Sequence, residues 1–420
     1  MRMWSMKFDW WLLGICFSRV FTYLVSMTYA AVLPVVQREW EMSAAAAGSI
    51  SSGYQIGYAV SLLIFSELAD RRGARRVFLW SNVCSVAASL LFAAFSRGYY
   101  SALILYTLIG ISSGGVYTPG LMMIADRYPT RGRGMAVGFF IASTSLGYAV
   151  SLGISGAALP WGGYRLSFLL TCLGPLVGFL LAWMTLASTP NKVFPRRQEQ
   201  RFSTEVLRNK KAVLFIMAYA LHSWELLGMW AWTPAFLSVC LTVRGSEAWT
   251  AVGSGAYLVG LFHLMGILAS LSMGTLSDRL GRAQVMLLVG SISTVCSLVM
   301  GWLIGLPIVL IVAVGMIYAF SALGDSPILS AGMTESVDPS YLGAAFAIRG
   351  LLGFGAGAMA PLAFGAFLDW MNPVLSNVGT YATWGWSYSM LGLGGLGAVL
   401  VAYFLYRGQR IQISSGTELN

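Results

Sequence analysis

Charge is what this 420-residue chain has least of: Asp, Glu, Lys and Arg make up 10% of it, against roughly 25% in a typical soluble domain. A soluble globule is excluded, because 57% of the residues are hydrophobic and too few polar side chains remain to cover a water-facing surface. The five cysteines, Cys16, Cys84, Cys172, Cys240 and Cys296, are odd in number, scattered and without redox or ligand spacing. They read as small apolar packing residues, and neither a disulfide nor a metal is expected. Nucleophile elbow, phosphate loop and metal-ligand spacing are missing as well, which argues against an enzyme and against a bound cofactor.

What the chain has instead is apolar length, with a mean hydropathy of +0.72. Stretches of about 20 apolar residues bounded by charge or turn residues fall at 10–36, 44–66, 77–96, 100–125, 134–158 and 164–187, and again at 212–240, 250–273, 284–305, 307–332, 341–368 and 382–406. The basic start before Trp10 imitates a signal peptide, but the run that follows is too long for a signal core and is kept as span 1. The reading is an all-α membrane protein of twelve spans. Residues 1–187 and 212–406 form two six-helix halves, 188–211 a polar linker and 407–420 a tail.

The net charge of +10 suggests nucleic acid until its placement is examined. With both termini on one side, that side holds Arg2, Lys7, Arg71, Arg72, Arg75, Arg76, Arg127, Arg131, Arg133, Lys192, Arg196, Arg197, Arg201, Arg208, Lys210, Lys211, Arg279, Arg282, Arg407 and Arg410, while the other holds Arg38, Arg97, Arg165 and Arg244. This asymmetry is the positive-inside signature of a multi-pass protein with cytoplasmic termini. No aromatic-interleaved basic surface is left to bind nucleic acid.

An internal repeat fixes the architecture. Ser66-Glu67-Leu68-Ala69-Asp70-Arg71-Arg72-Gly73 recurs 208 residues later as Gly274-Thr275-Leu276-Ser277-Asp278-Arg279-Leu280-Gly281. The same offset carries Thr118-Pro119 onto Ser326-Pro327 and Gln55 onto His263, and Gly134 and Gly156 match Gly343 and Gly365 at an offset of 209. The two D-R-x-G loops in a 6+6 chain with a basic central linker resemble the major facilitator superfamily, over the whole chain. The first copy departs from the family's pattern, with Ser66 where glycine is usual.

The resemblance implies two bundles related by a pseudo-two-fold axis, a substrate site between them and alternating access. It implies that spans 1, 4, 7 and 10 line the cavity, with 3, 6, 9 and 12 facing outward. The buried charges agree: Arg19, His222, Glu225, His263, Asp325 and Arg349 lie well inside spans 1, 7, 8, 10 and 11, and none lies in 3, 6, 9 or 12. In the family, the loop residues Asp70, Arg71, Gly73 and Arg75, their repeat mates Asp278, Arg279 and Gly281, and Asp126 tie the cytoplasmic helix ends together. Asp126 is placed to meet Arg71 or Arg75.

Within the spans, Arg19 is the anion anchor, since a guanidinium offers a carboxylate two parallel hydrogen bonds; an ion pair with Glu225 is the structural alternative. Tyr23, Ser26, Gln55, Tyr117, Trp232, Tyr318 and Arg349 complete the expected substrate-binding set. Of Trp224, Trp230 and Trp232, only Trp232 shares the helical face of Glu225. Glu225 is the best candidate for the coupled proton, with His222, Asp325 and His263 in support. Two arginines and two carboxylates leave the empty cavity near neutral, so a bound monoanion calls for a proton.

The expected function is thus proton-coupled symport of a small organic or inorganic anion across a bacterial inner membrane, by a monomer whose partners are substrate, protons and lipid. The resemblance is to the oxalate, monocarboxylate and nitrate carriers, with nitrate disfavoured because spans 2 and 8 lack arginine. Drug/proton antiport and a non-transporting sensor are the alternatives.

Overall fold

The computed structural model describes residues 9–128, 130–193, 204–338, 342–373 and 381–414. Arg2, Lys7, Arg196, Arg197 and Arg201, the middle of the 188–211 stretch and the end of the tail lie outside the described residues. Among the described residues every regular element is helical: α1 Trp10–Thr22, a 3₁₀ turn Tyr23–Val25, α2 Thr28–Glu39, α3 Ala44–Arg72, α4 Ala74–Phe95, α5 Tyr99–Arg127, α6 Thr130–Cys172, α7 Gly174–Leu186, α8 Thr204–Arg208, α9 Lys210–Val243, α10 Ala248–Leu280, α11 Arg282–Met300, α12 Ile308–Ser336, α13 Leu342–Met371 and α14 Gly385–Ser414.

Ten stretches are long and apolar enough to cross a bilayer, and the two that complete twelve have physical reasons for escaping that count. The 29-residue α3 is long enough, but its serines, tyrosines and Gln55 lower its hydropathy. Residues 133–186 form one apolar stretch that turns back on itself at Gly163, whose φ is +61°. The Ser167 hydroxyl donates to the Ser155 carbonyl at 2.9 Å, whereas a straight helix would hold those residues about 18 Å apart. Spans 5 and 6 are therefore two antiparallel legs of α6 and α7.

Local chemistry sets the helix ends. Asp9, Ser43 and Asn209 cap α1, α3 and α9 by accepting from backbone N–H groups of the first turn. Gly73 and Gly281, the glycines of the repeated loop, stop α3 and α10 at φ of +90° and +97°, a conformation costly for other residues. Span 1 carries a break the sequence did not announce: the 3₁₀ turn and Ser26 interrupt it between α1 and α2. The Tyr106 hydroxyl donates to the freed Ser26 carbonyl at 2.5 Å.

The Asp9 cap also ties α1 to the end of α5. Its carboxylate accepts from the Tyr128 hydroxyl and lies 3.8 Å from Arg127. Partial burial opposes its ionisation, but the Tyr128 hydroxyl, the Leu12 and Trp11 N–H groups and Arg127 outweigh that and hold the carboxyl below the usual carboxylate range. A depressed folded-state pKa contributes stability above the unfolded value and loses it as pH falls through the folded value. Asp9→Ala is expected to lower the melting temperature of purified protein at neutral pH. A thermal melt series should show that deficit shrinking once the pH drops below about 3.9, the ordinary aspartate value.

The two halves meet on the face opposite the linker, here the far face, through one contact made twice. Gly156 on α6 packs so tightly on α10 that an added Cβ would lie 2.7 Å from the Gly253 carbonyl oxygen; the corresponding atom on Gly365 of α13 would lie 2.1 Å from the Ala44 carbonyl of α3. Gly156 and Gly365 are repeat mates, and Ala44 and Gly253 lie within one residue of being so, so these two contacts express the pseudo-two-fold symmetry. Asp369 at the end of α13 reinforces the seam by accepting from Ala44 N at 2.9 Å and Ala45 N at 2.8 Å. The Tyr381 hydroxyl donates to Asp369 and accepts from Gln37.

At the linker end several polar contacts join helices of one half. Arg75 donates to the Leu186 and Ala187 carbonyls, and Asn191 donates to the Arg72 carbonyl. Arg282 bridges Asp278 and Glu335. Helices α4, α7, α11 and α14 present exposed apolar side chains such as Leu91, Leu180, Val295 and Phe404.

Candidate functional site

Arg19 lies on α1 just before the break, 3% exposed. Its guanidinium carbon is 4.2 Å from the Phe140 ring centroid, 5.0 Å from Tyr117 and 5.3 Å from Tyr23. Its Nε and Nη1 are buried without a hydrogen-bond partner among the described residues. The three ring faces offset part of the cost of desolvating the charge, at about 0.5–2 kcal/mol each. They supply no acceptor, so the Nε and Nη1 donors stay unsatisfied among the described residues.

Around it runs a seam of aromatic rings from both halves. The Tyr23 hydroxyl donates to that of Tyr58 at 3.3 Å, and the Tyr23 ring is 5.8 Å from Tyr148 on α6. Tyr148 meets Trp230 at 5.5 Å and His263 at 5.3 Å across the interface. Tyr58 meets Phe354 of α13 at 5.0 Å, and Phe354 meets Tyr219 of α9. Tyr58, Phe140, Tyr148, Tyr219 and Phe354 were not expected from the sequence. Trp230, set aside there, lies in the seam, three turns from Tyr219 on the same face of α9.

The second half places its charges around α9 and α12. Arg349 is 4.3 Å from the Tyr219 ring centroid and donates to Ser330 at 3.0 Å, not to Asp325. Asp325 instead lies 2.9 Å from His222 Nδ1, and His222 Nε2 is 3.0 Å from the Ser326 hydroxyl. Glu225 turns the other way: its carboxylate accepts from Ser293 of α11 at 2.9 Å and abuts Gly395 of α14. Arg19 and Glu225 form no ion pair among the described residues, so the structural alternative for Arg19 is not realised.

Three other expected binding residues have structural partners instead. Trp232 stacks on Phe364 and donates to the Pro361 carbonyl, packing the second half. The Tyr318 hydroxyl donates to Ser297 beside Glu225. Ser26 pairs with the Tyr54 hydroxyl at 2.8 Å inside the first half, and Gln55 is half-buried one turn before Tyr58. The stripe through Glu225, Met229 and Trp232 therefore faces the interior of the second half, because that is where Ser293 and Phe364 receive its polar and aromatic members.

Among the loop residues, Arg71 pairs with Glu67 at 2.6 Å, and Arg282 pairs with Asp278 at 2.5 Å. Asp126 meets neither Arg71 nor Arg75 but Lys192 at 2.8 Å. The start of the linker folds back over α5, and Arg75 is occupied by the Leu186 and Ala187 carbonyls. Asp70 and Arg279 stand at the ends of α3 and α10. No group of three or more His, Cys, Asp or Glu among the described residues is placed to hold a metal.

Comparison with known proteins places the chain in context. The family model described as Major Facilitator Superfamily matches residues 15–361. A gallate transporter of Pseudomonas putida is 23% identical over 70% of this chain and 71% of its own length. A phosphoglycerate transporter protein of Salmonella typhimurium is 24% identical over 94% of this chain and 88% of its own. In structure, the chain is similar to a bacterial homologue of the human lysosomal transporter Spinster, solved inward-facing and unoccupied. That likeness has a TM-score of 0.71 at 15% identity and covers 95% of this chain and 96% of the other.

Proposed function

The chain belongs to the major facilitator superfamily, and from that premise we propose that it is a proton-coupled symporter of small organic carboxylates, working by alternating access. The observation that carries this reading is Arg19, a buried guanidinium whose Nε and Nη1 lack partners among the described residues and whose ring neighbour Tyr23 leads through Tyr148 to the seam between the halves. The two relatives named above are described as carrying gallate and phosphoglycerate, both carboxylates, which supports an anion over a neutral solute. A lipophilic cation would instead have to sit against Arg19 with no carboxylate beside it.

The proton is carried on the His222–Asp325 pair. Its members lie 2.9 Å apart next to Arg349 and Tyr219, and the Asp325 side chain is 12% exposed, against 3% for His222. A coupled proton must exchange with water, and Asp325 has the more open route. Glu225, bound to Ser293 and walled in by Gly395, is structural here. With the anion on Arg19, one proton on the pair restores neutrality in a poorly solvated site.

The positive-inside asymmetry makes the linker end cytoplasmic, so the far-face contacts close the outward side in this conformation. The Asp369 latch then holds the closed gate. Asp369→Ala is expected to shift the population toward the outward-open state. In a background lacking the five natural cysteines, a single cysteine at Ala256, buried in the far-face seam, should react several-fold faster with an impermeant maleimide applied outside. Unchanged reactivity would remove the latch role.

Binding to the folded state raises stability, which gives the reading its first test. Thermal melts against monocarboxylates, dicarboxylates, inorganic anions and lipophilic cations should show stabilisation by carboxylates, stronger at acidic than at neutral pH. Stabilisation by cations alone would make the chain an exporter.

A further inference from the structure

The roles above leave His263 without a partner or a task. It sits on α10 at the seam between the halves, 1% exposed, and neither ring nitrogen has a hydrogen-bond partner among the described residues. A neutral imidazole presents one N–H donor and one acceptor, and buried polar groups in folded proteins are almost always paired. Its neighbours offer ring surface instead: Trp230 at 4.8 Å and Tyr148 at 5.3 Å. Tyr148 in turn is 5.8 Å from Tyr23, whose ring lies under Arg19. One continuous aromatic seam thus carries an unsatisfied cation at one end and an unsatisfied donor–acceptor at the other.

We propose that His263 is the second pole of the binding site: the transported carboxylate belongs to a planar, conjugated acid whose hydroxyl substituent hydrogen-bonds His263 while its carboxylate rests on Arg19. This rests on the anion reading and narrows it. A flat ring matches the seam because its own rings meet at 61° and 73°, a geometry that offers faces and edges to a ligand ring. A hydroxyl suits His263 because it both donates and accepts, and among the described residues no charged side chain is placed against the imidazole to favour an ionic group there.

The test compares affinities of the purified full chain for benzoate and for its three hydroxy isomers, by calorimetry, in wild type, His263→Phe and His263→Ala. One isomer should bind wild type about tenfold more tightly than benzoate, and in both variants that ratio should fall to about one. The alanine variant keeps the test informative where phenylalanine does not fold, and His263→Asn, which restores a donor and an acceptor, should recover part of the preference. A ratio unchanged in the variants, or no isomer preferred by wild type, would overturn the proposal. If acetate or lactate binds while the aromatic acids do not, the inference falls and the anion reading stands. If no carboxylate binds, both fall.

Discussion

Replacing Arg19 with alanine is expected to raise the KM for a carboxylate at least about a hundredfold, since two charge-assisted hydrogen bonds at roughly 1.5–3 kcal/mol each are lost together. The same substitution should leave the melting temperature of ligand-free protein unchanged or higher. An unpaired charge buried without acceptors is costly to keep, and Arg19 has two donor nitrogens without partners among the described residues, with three rings as its compensation. This combination separates a binding residue from a structural one. A structural arginine would give the reverse: a clear loss of stability with KM unmoved. Arg19→Lys keeps the charge but loses the planar fork, and belongs between the two.

Replacing Asp325 with asparagine is expected to abolish uphill accumulation while exchange of labelled for unlabelled substrate continues. Asparagine keeps the shape and a contact to His222 but cannot take up a proton, so the loaded site can no longer shed its excess charge. Glu225→Gln should accumulate substrate nearly as wild type, because a glutamine oxygen still accepts from Ser293. Accumulation surviving in Asp325→Asn and vanishing in Glu225→Gln would move the proton to Glu225. Measured in the same vesicles, the two variants decide between the carboxylates directly.

The architecture was legible because it rests on features that repeat or are costly. Gly73 and Gly281 sit at positive φ in matching loops, and charges inside a bilayer are rare enough that Arg19 and Asp325 stand out singly. The ring partners were not legible, because tyrosines and phenylalanines occur on many spans and the seam joins residues far apart in sequence. Along α9 the failure has a specific cause. Periodicity grouped Trp232 with Glu225 correctly, but which face of the helix looks between the halves depends on the tertiary packing of Tyr219 and Trp230. Once Glu225 was assigned to the cavity, Trp232 followed it and Trp230 was left out. The break at Tyr23–Ser26 was hidden too, for its acceptor is satisfied by Tyr106 from a different helix, whereas the visible prolines, Pro119 and Pro327, lie inside unbroken α5 and α12.

Flux through purified protein in liposomes tests proton-coupled anion transport most directly. With labelled benzoate outside and an imposed pH gradient, acidic outside, the protein should take up label at an initial rate above that of protein-free liposomes under the same gradient. A protonophore should remove that excess, and Arg19→Ala should not support it. Carboxylate uptake equal to that of protein-free liposomes, or protein-dependent uptake indifferent to the pH gradient, would contradict it.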